Sequence, residues 1–386
     1  MLNAGLYIHI PFCRARCSYC DFATGMYESD IAERYVCALA KEISTWSEVS
    51  EPQAVDTVYF GGGTPSLLTP AQIALILTVL RDRFEIVDGA EVTLEINPAS
   101  VSTSDAAELS SQKLRDFRAL GINRASFGAQ TFDDHELKLL GRTHDAGAIA
   151  STFDQLRHAG FENINFDLIA GLPNQTIAGW KRNLDEALRL SPEHLSLYLL
   201  DVHEGTPLSD QIKRGMRPVP DEDLAAEMYR LMIDRVCAAG YEHYEISNFC
   251  RAGLESRHNT KYWNGAPYYG FGCSAHSFDG RRRRWANERD AARYVELIEN
   301  GKPLIVERTV LSDEDARSES IFLGLRLMGG VDLENYRSRF GRDLREEYES
   351  ELEELGNAGL IELDQELLRL TTKGALLSNE VFAALA

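Results

Sequence analysis

The sequence predicts an α/β protein in which six β/α units form a parallel sheet curved into an incomplete barrel, followed by a small helix-rich carboxyl-terminal module. Three observations carry this reading. Apolar strand-like runs recur roughly every thirty to forty residues with amphipathic helical stretches between them, a spacing that crossover connections of a parallel sheet require. Each run ends in a cluster of glycine, cysteine or acidic residues. After Gly301-Lys-Pro303 this alternation stops and the composition changes. An open doubly wound sheet is the alternative arrangement of the same units.

Taken in order, Leu6 to Phe12 reads as the first strand. Asp30-Ile-Ala-Glu33 reads as an N-cap with its reciprocal acid, opening a helix with Ile31, Tyr35, Leu39, Ile43 and Trp46 on one face. Val55 to Phe60 is the second strand. Thr69-Pro70 caps a second helix that carries Ile73, Ile76, Leu77, Leu80 and Phe84, with proline at its favoured first position. Glu91 to Ile96 is the third strand, and the helix ending at Leu120 is stopped by Gly121. Arg124 to Phe127, Asn163 to Ile169 and His194 to Leu200 supply strands four to six, with helices near 145–159 and 176–190. The expected division is a barrel domain over 1–240, a connecting segment over 241–299 and a carboxyl-terminal domain over 300–386.

Composition bounds the function. With 386 residues, 44% of them hydrophobic, the chain has enough apolar material for a large and a small core. A net charge of -20 disfavours broad binding to nucleic acid, so no nucleic-acid partner is expected. No run of about eighteen apolar residues and no export signal is present, which together with cysteine usage predicts a cytoplasmic location. Of seven cysteines, Cys37, Cys237, Cys250 and Cys273 read as core or incidental thiols.

The other three carry the chemistry. Cys13, Cys17 and Cys20 follow the first strand as C-x3-C-x2-C, and three thiolates from one short loop suit an iron–sulfur cube whose fourth iron has no protein ligand. Ordinary buried thiols fit poorly, because such a loop offers no core and invites oxidation. In a barrel the working face is built from loops at the carboxyl ends of the strands. Strand two runs into Gly61-Gly-Gly-Thr-Pro65, strand three into Glu95-Ile-Asn-Pro98, strand four into Gly128-Ala-Gln130, and strand five carries Asp167 before Gly171-Leu-Pro173. Glycines let backbone amides and carbonyls approach a ligand, and Glu95 is a natural acceptor for a ribose diol. Gln130, Arg142 and Asp167 also admit a plainer reading as polar groups that satisfy one another at the barrel mouth.

The cysteine spacing directly after a strand resembles the radical S-adenosylmethionine (SAM) superfamily, which implies that the methionine moiety of SAM chelates the open iron. His9-Ile-Pro-Phe-Cys13, Phe60-Gly-Gly-Gly-Thr-Pro65, Asn123-Arg124 leading to Gly128-Ala-Gln130, and Asp167-Leu-Ile-Ala-Gly-Leu-Pro173 are similar to the branch that holds oxygen-independent coproporphyrinogen III dehydrogenase and the HemW haem chaperones. The likeness covers nearly the whole chain. It implies a four-iron, four-sulfur cluster on the three cysteines, with SAM contacts at Tyr7, Tyr19, Gly62, Gly63, Thr64, Glu95, Gln130, Arg142 and Asp167. Two departures set the chain apart from the decarboxylating enzyme: Phe22 stands where that pattern has a fourth cysteine, and only twelve residues precede Cys13. Both point away from oxidative decarboxylation and towards the haem chaperones.

Arg257-His-Asn-Thr-Lys-Tyr-Trp263 is similar to the H-N-x-x-Y-W signature of the haem chaperones, which implies haem contacts at His258, Asn259, Tyr262 and Trp263. An imidazole or phenolate can ligate iron and an indole offers a flat apolar surface. The plainer reading is an aromatic hairpin segment in which the rings pack and His258 satisfies a backbone group. Asp279-Gly280 marks a hairpin turn, after which Arg281 to Arg284 alternate along a strand, where two of them could meet haem propionates or simply stay solvated. His276 matches a position that closes over SAM in the related enzyme.

In the last segment, Asp313 to Leu327, Leu333 to Phe340 and Leu344 to Leu355 read as helices, and Gly359 to Leu363 with Leu367 to Leu370 as a hairpin. This resembles a winged-helix module. The acidic run Glu346 to Glu354 would repel phosphates, so a lid or docking role is expected instead of DNA binding. The implied partners are haem, acceptor haemoproteins, whether soluble or membrane-associated, and an electron donor for the cluster. The competing readings are a radical enzyme acting on a tetrapyrrole and a nucleic-acid modifier.

Overall fold

The computed structural model describes residues 2–101 and 107–385. Six parallel strands neighbour one another in chain order: β1 (Ala4–Ile10), β2 (Val55–Gly62), β3 (Ile86–Ile96), β4 (Arg124–Gln130), β5 (Asn163–Ala170) and β6 (His194–Leu199). The helices that connect them include α1 (Ser29–Thr45), α2 (Pro70–Arg83), α3 (Ala107–Ala119), α4 (Ala146–His158) and α5 (Ile177–Leu190). The order contains no reversal among these strands, which a doubly wound sheet would need. After α6 (Glu222–Ala238), β7 (Glu242–Glu245) and β8 (Asn248–Cys250) add antiparallel strands beyond β6.

The segment expected to be a connection belongs to the same sheet. After α7 (Arg257–Trp263), β9 (Tyr268–Phe271) lies parallel to β1 on its free side, with Tyr7 opposite Gly270. Then β10 (His276–Phe278), β11 (Arg283–Asn287) and β12 (Ile305–Val310) continue antiparallel, with α8 (Ala291–Glu299) before the last of them. Among the described residues the sheet thus has twelve strands. The Asp279-Gly280 hairpin forms, but Arg281 and Arg282 lie in its turn, where Asp279 Oδ1 accepts from the amides of residues 281 to 283; only Arg283 and Arg284 are on the strand.

Alternation along β1 to β6 explains where chemistry can sit. Leu6, Ile8, Ile10, Val58, Phe60, Leu94, Phe127, Phe166 and Leu197 are buried in the main core with helix residues such as Tyr35, Leu39 and Phe153. The intervening residues are polar, and Thr57, Thr93, Arg124, Asn165 and His194 are also almost fully buried. In a strand successive side chains point to opposite faces. One face is therefore apolar and covered by helices, and the other is polar and largely buried. Helix α7 sits on this inner side, where Glu91 on β3 accepts from the backbone amides of Arg257 (3.1 Å) and His258 (3.0 Å).

Local signals in the sequence match the helix starts with small differences. Thr69 caps α2 in a full capping box with Gln72. The first helix instead starts at Ser29, with Glu28 at the N-cap and no side-chain cap, and Ile31 is exposed while Ala32, Tyr35 and Leu39 face the core.

The last segment opens with α9 (Asp313–Gly324) and α10 (Leu333–Phe340). The expected single helix over 344–355 is two pieces, Leu344–Glu347 and Glu349–Asn357, separated at Tyr348. Strands Ile361–Leu363 and Leu367–Leu370 pair as foreseen, and Val331–Asp332 joins them to make a three-stranded sheet. This part is tied to the main sheet by Ile246 N to Arg326 O (3.1 Å), Met328 N to Tyr244 O (2.9 Å) and the Arg284–Glu319 ion pair (2.6 Å).

Candidate functional site

The cysteine loop leaves the carboxyl end of β1 and is held from several sides by backbone bonds. Gly63 N donates to Ile10 O (2.8 Å), Thr64 N to Phe12 O (2.7 Å), Ser18 N to Leu140 O (2.9 Å) and Leu208 N to Ser18 O (2.7 Å). A loop pinned at both ends and at its middle can present side chains in fixed positions. Cys13, Cys17 and Cys20 are half-buried, unpaired thiols that line one cavity of about 410 Å³.

The same cavity is lined by Tyr19, Gly62, Gly63, Thr64, Glu95, Gln130, Arg142 and Asp167, eight of the ten positions expected to touch SAM. Tyr7 is not among them; its hydroxyl is 3.1 Å from His9 Nδ1, and His9 Nε2 lies 3.0 Å from the Ala23 carbonyl, so the pair braces the far side of the cysteine loop. His276 is also outside, exposed on β10 opposite Ala286.

The glycine turn is demanded by contact. Gly62 has φ of +112°, and a Cβ there would lie 2.6 Å from the His9 ring; at Gly63 it would lie 2.7 Å from the Phe12 carbonyl oxygen. Only glycines let β2 pass this close to the loop that carries Cys13. Gln130 is held in the left-handed region at φ of +66°, a conformation that a non-glycine residue keeps only when its surroundings impose it.

The polar groups here are mutually constrained. Glu95 accepts from Tyr59 OH (2.8 Å) and from the Gly62 amide (3.1 Å), and burial pushes its carboxyl up to about 7, helped by the Asp167 charge. Burial also raises Asp167, against the bond from Asn165 Nδ2 (2.7 Å). Arg142 donates to Cys17 Sγ (3.4 Å) and to the Gly128 carbonyl (2.5 Å), and Thr64 Oγ1 donates to Cys13 Sγ (3.7 Å). Burial pushes the Cys13 thiol up to about 11, so uptake of iron there must displace a proton.

This donor set fits an iron–sulfur cluster. It consists of sulfur alone, two of the sulfurs receive hydrogen bonds from Arg142 and Thr64, and among the described residues no trio of His, Cys, Asp or Glu converges on a single-ion site. Sulfurs at separate corners of a cube stand further apart than ligands around one ion.

Several lining residues were not foreseen, among them Tyr59, Arg124, Asn165 and Ser196. They all occupy inward positions of the alternation described above, which was their signal in the sequence. Arg124 is almost wholly buried between Glu95 and Asp167, and its Nε has no hydrogen-bond partner.

The segment expected to touch haem is a helix, capped by Ser256, and its side chains diverge. His258 is fully buried, with Nδ1 at 2.9 Å from Thr57 Oγ1 and Nε2 at 2.9 Å from Tyr262 OH; both nitrogens are engaged, and burial lowers its pKa to about 3. Asn259 reaches the cysteine cavity, whereas Trp263 lines a separate one beside the carboxyl-terminal part, under the Arg326 guanidinium at 4.4 Å.

A parallel α/β sheet with a three-cysteine loop over a polar, glycine-bordered cavity defines a protein of the radical SAM superfamily, and the family's sequence profile matches residues 7–187. The HemN C-terminal domain profile matches residues 311–377. The chain belongs to the HemW haem-chaperone family. It is 37% identical to heme chaperone HemW of Bacillus subtilis, with 98% of both chains covered, and 35% identical to that of Lactococcus lactis, covering 97% of this chain and 95% of that one. Among solved structures, coproporphyrinogen III oxidase (HemN) from Escherichia coli, described as a radical SAM enzyme, shares the fold with a TM-score of 0.84 at 24% identity, over 99% of this chain and 90% of that one.

Proposed function

We propose that this chain is a haem chaperone that binds haem and hands it to acceptor haemoproteins, and that it carries a SAM-liganded four-iron, four-sulfur cluster. The observation that carries the reading is the end-to-end similarity to proteins named heme chaperone HemW. Cys13, Cys17 and Cys20 would hold the cluster. Gly62, Gly63 and Thr64 would meet the amino-acid end of SAM, Glu95 its ribose, and Tyr19, Gln130, Arg142 and Asp167 its remaining polar edges, with Tyr7 acting through His9 and His276 closing from outside the cavity. When bound, the cluster and SAM supply one-electron chemistry at the cavity mouth.

In this reading the six units are the incomplete barrel of the superfamily, the three-stranded sheet with its helices is winged-helix-like, and it works as a lid or docking surface. Helix α7, which carries the expected haem residues His258, Asn259, Tyr262 and Trp263, is the element through which haem is held. Its support is position: one end reaches the cysteine cavity and the other the cavity beside the carboxyl-terminal part. Cluster state or SAM occupancy can then gate haem release through one rigid piece. Among the described residues no helix is long and apolar enough to cross a membrane, and a cytoplasmic chaperone serving soluble or membrane-bound acceptors fits that. An electron donor for the cluster completes the partner set.

Decarboxylation of coproporphyrinogen is the second reading, favoured by the fold shared with HemN. Against it stands Phe22, an exposed phenyl lining the cysteine cavity at the place of the fourth cysteine. The test is to reconstitute the cluster without oxygen, load haem, and mix with an apo-haemoprotein. Haem should appear in the acceptor, at a rate that changes when SAM is present and the cluster is reduced; a rate unaffected by either removes the gating.

A further inference from the structure

The cavity that Trp263 lines is separate from the cluster site and has the makings of a ligand seat. It lies between the β10–β11 hairpin, the end of α7 and helices α9 and α10, and its volume is about 230 Å³. Its floor is apolar, formed by residues such as Leu311, Leu323 and Val331, and two aromatic rings, Trp263 and Phe278, stand in its wall. Its charge is opposite to that of the chain as a whole. Three arginines (281, 284 and 339) face it against two acids, Glu319 and Asp332, in a protein of net charge -20.

The three arginines are not alike. Arg284 is committed, with Glu319 Oε2 at 2.6 Å, Tyr268 OH at 2.8 Å and the Phe278 ring beneath it at 4.4 Å. The guanidinium groups of Arg281 and Arg339 have neither an ion-pair nor a hydrogen-bond partner among the described residues; Arg339 stacks over Phe340 and feels the Glu319 charge without pairing with it. Two free guanidinium groups beside an apolar floor and a flat indole complement a planar apolar ring that carries two carboxylates, since a guanidinium pairs bidentately with a carboxylate.

We propose that this cavity is the seat of the tetrapyrrole cargo, with one edge of the macrocycle against Trp263 and its two carboxylates on Arg281 and Arg339. The proposal rests on the haem-chaperone reading and deepens it. The cavity is smaller than the roughly 300–1,000 Å³ of pockets that engulf a ligand, so the opposite edge stays at the open mouth, as a cargo due for transfer requires. Among the described residues the lining contains no histidine, cysteine or methionine, and its one phenol, Tyr336, donates to Glu347 (2.8 Å). Recognition is therefore through the ring face and the carboxylates, not through iron, and His258 acts as an internal strut that positions α7.

The test uses the full-length, cluster-reconstituted protein and three probes: haem, metal-free protoporphyrin IX and its dimethyl ester. Haem and the metal-free acid should bind with similar affinity, the ester about tenfold more weakly, and Arg281→Ala with Arg339→Ala should weaken both acids about tenfold without affecting the ester. Both arginines are exposed, and an unchanged cluster absorption spectrum in the double variant shows that the fold is kept. Unchanged affinity in the double variant, or a strong preference for haem over the metal-free ring that vanishes in His258→Ala, overturns this seat and leaves the chaperone reading standing. Failure of the unaltered protein to bind haem at all overturns both.

Discussion

Arg142 and Cys17 are joined by a 3.4 Å contact from guanidinium Nη1 to sulfur, while the other arm of the same guanidinium is anchored on the Gly128 carbonyl. The thiol loop and the end of β4 are thus fastened together by one charged group. Loss of a group that orients a metal ligand typically costs about 10- to 100-fold in metal affinity. Arg142→Met is expected to retain clearly less iron and sulfide than the unaltered protein after anaerobic reconstitution and desalting, and Arg142→Lys to fall between. Equal retention in all three would show that the contact has no bearing on the cluster.

Gly62 offers a test of close approach. Gly62→Ala must accept a left-handed backbone and also push a methyl against the His9 ring, whereas Gly89→Ala meets the same backbone demand at φ of +72° with open space around it. The backbone term is about 1–2 kcal/mol and overpacking adds about 1–3 kcal/mol. Thermal unfolding should show a small loss for Gly89→Ala and a loss of several degrees more for Gly62→Ala. Equal losses would mean that the His9 contact relaxes freely.

Glu42 predicts a pH dependence of stability. It is buried, accepts from Gly272 N, Asn287 Nδ2 and Tyr294 OH, and burial pushes its carboxyl up to about 7 from an ordinary 4.5. Between those values the folded protein keeps a proton that the unfolded chain releases. Stability therefore falls as pH rises from about 4.5 to about 7, by an amount on the order of 3 kcal/mol from this group. Denaturant unfolding of Glu42→Gln should show a flatter pH profile over that window than the unaltered protein, and an identical slope would refute the assignment.

Glu95 makes a parallel statement about ligand binding. With its carboxyl at about 7, most of the population is protonated at pH 6 and ionised at pH 8. An ionised carboxylate accepts from a ribose diol with both oxygens, while the acid gives up one acceptor position. SAM affinity, measured by equilibrium dialysis on cluster-loaded protein, should be severalfold tighter at pH 8 than at pH 6. In Glu95→Gln that difference should disappear; a pH effect that persists there belongs to another group.

Much of this site is legible in the sequence, and the reasons for the gaps are physical. The three cysteines, the glycine turn and Glu95 stand next to strands whose apolar content and turn residues are local signals. Tyr7 is different: its strand partner Gly270 lies far along the chain, and nothing local in a strand names a partner at that distance, so in the sequence β9 to β12 read as a connection. The alternation of Thr57, Arg124, Asn165 and His194 with apolar neighbours was legible, because strands covered on both faces by helices read as near-continuous apolar runs and these do not. For α7, aromatic residues with strand preference hid a helix that Ser256, a good N-cap, announces. The left-handed backbone of Gln130 had no signal, since glutamine gives no hint of positive φ.

The most direct measurement sets two reactions of the same anaerobically reconstituted protein side by side: haem transfer to an apo-haemoprotein, and carbon dioxide release from coproporphyrinogen III in the presence of SAM and a reductant. The haem-chaperone account predicts transfer without carbon dioxide release. Release of carbon dioxide without transfer would contradict it.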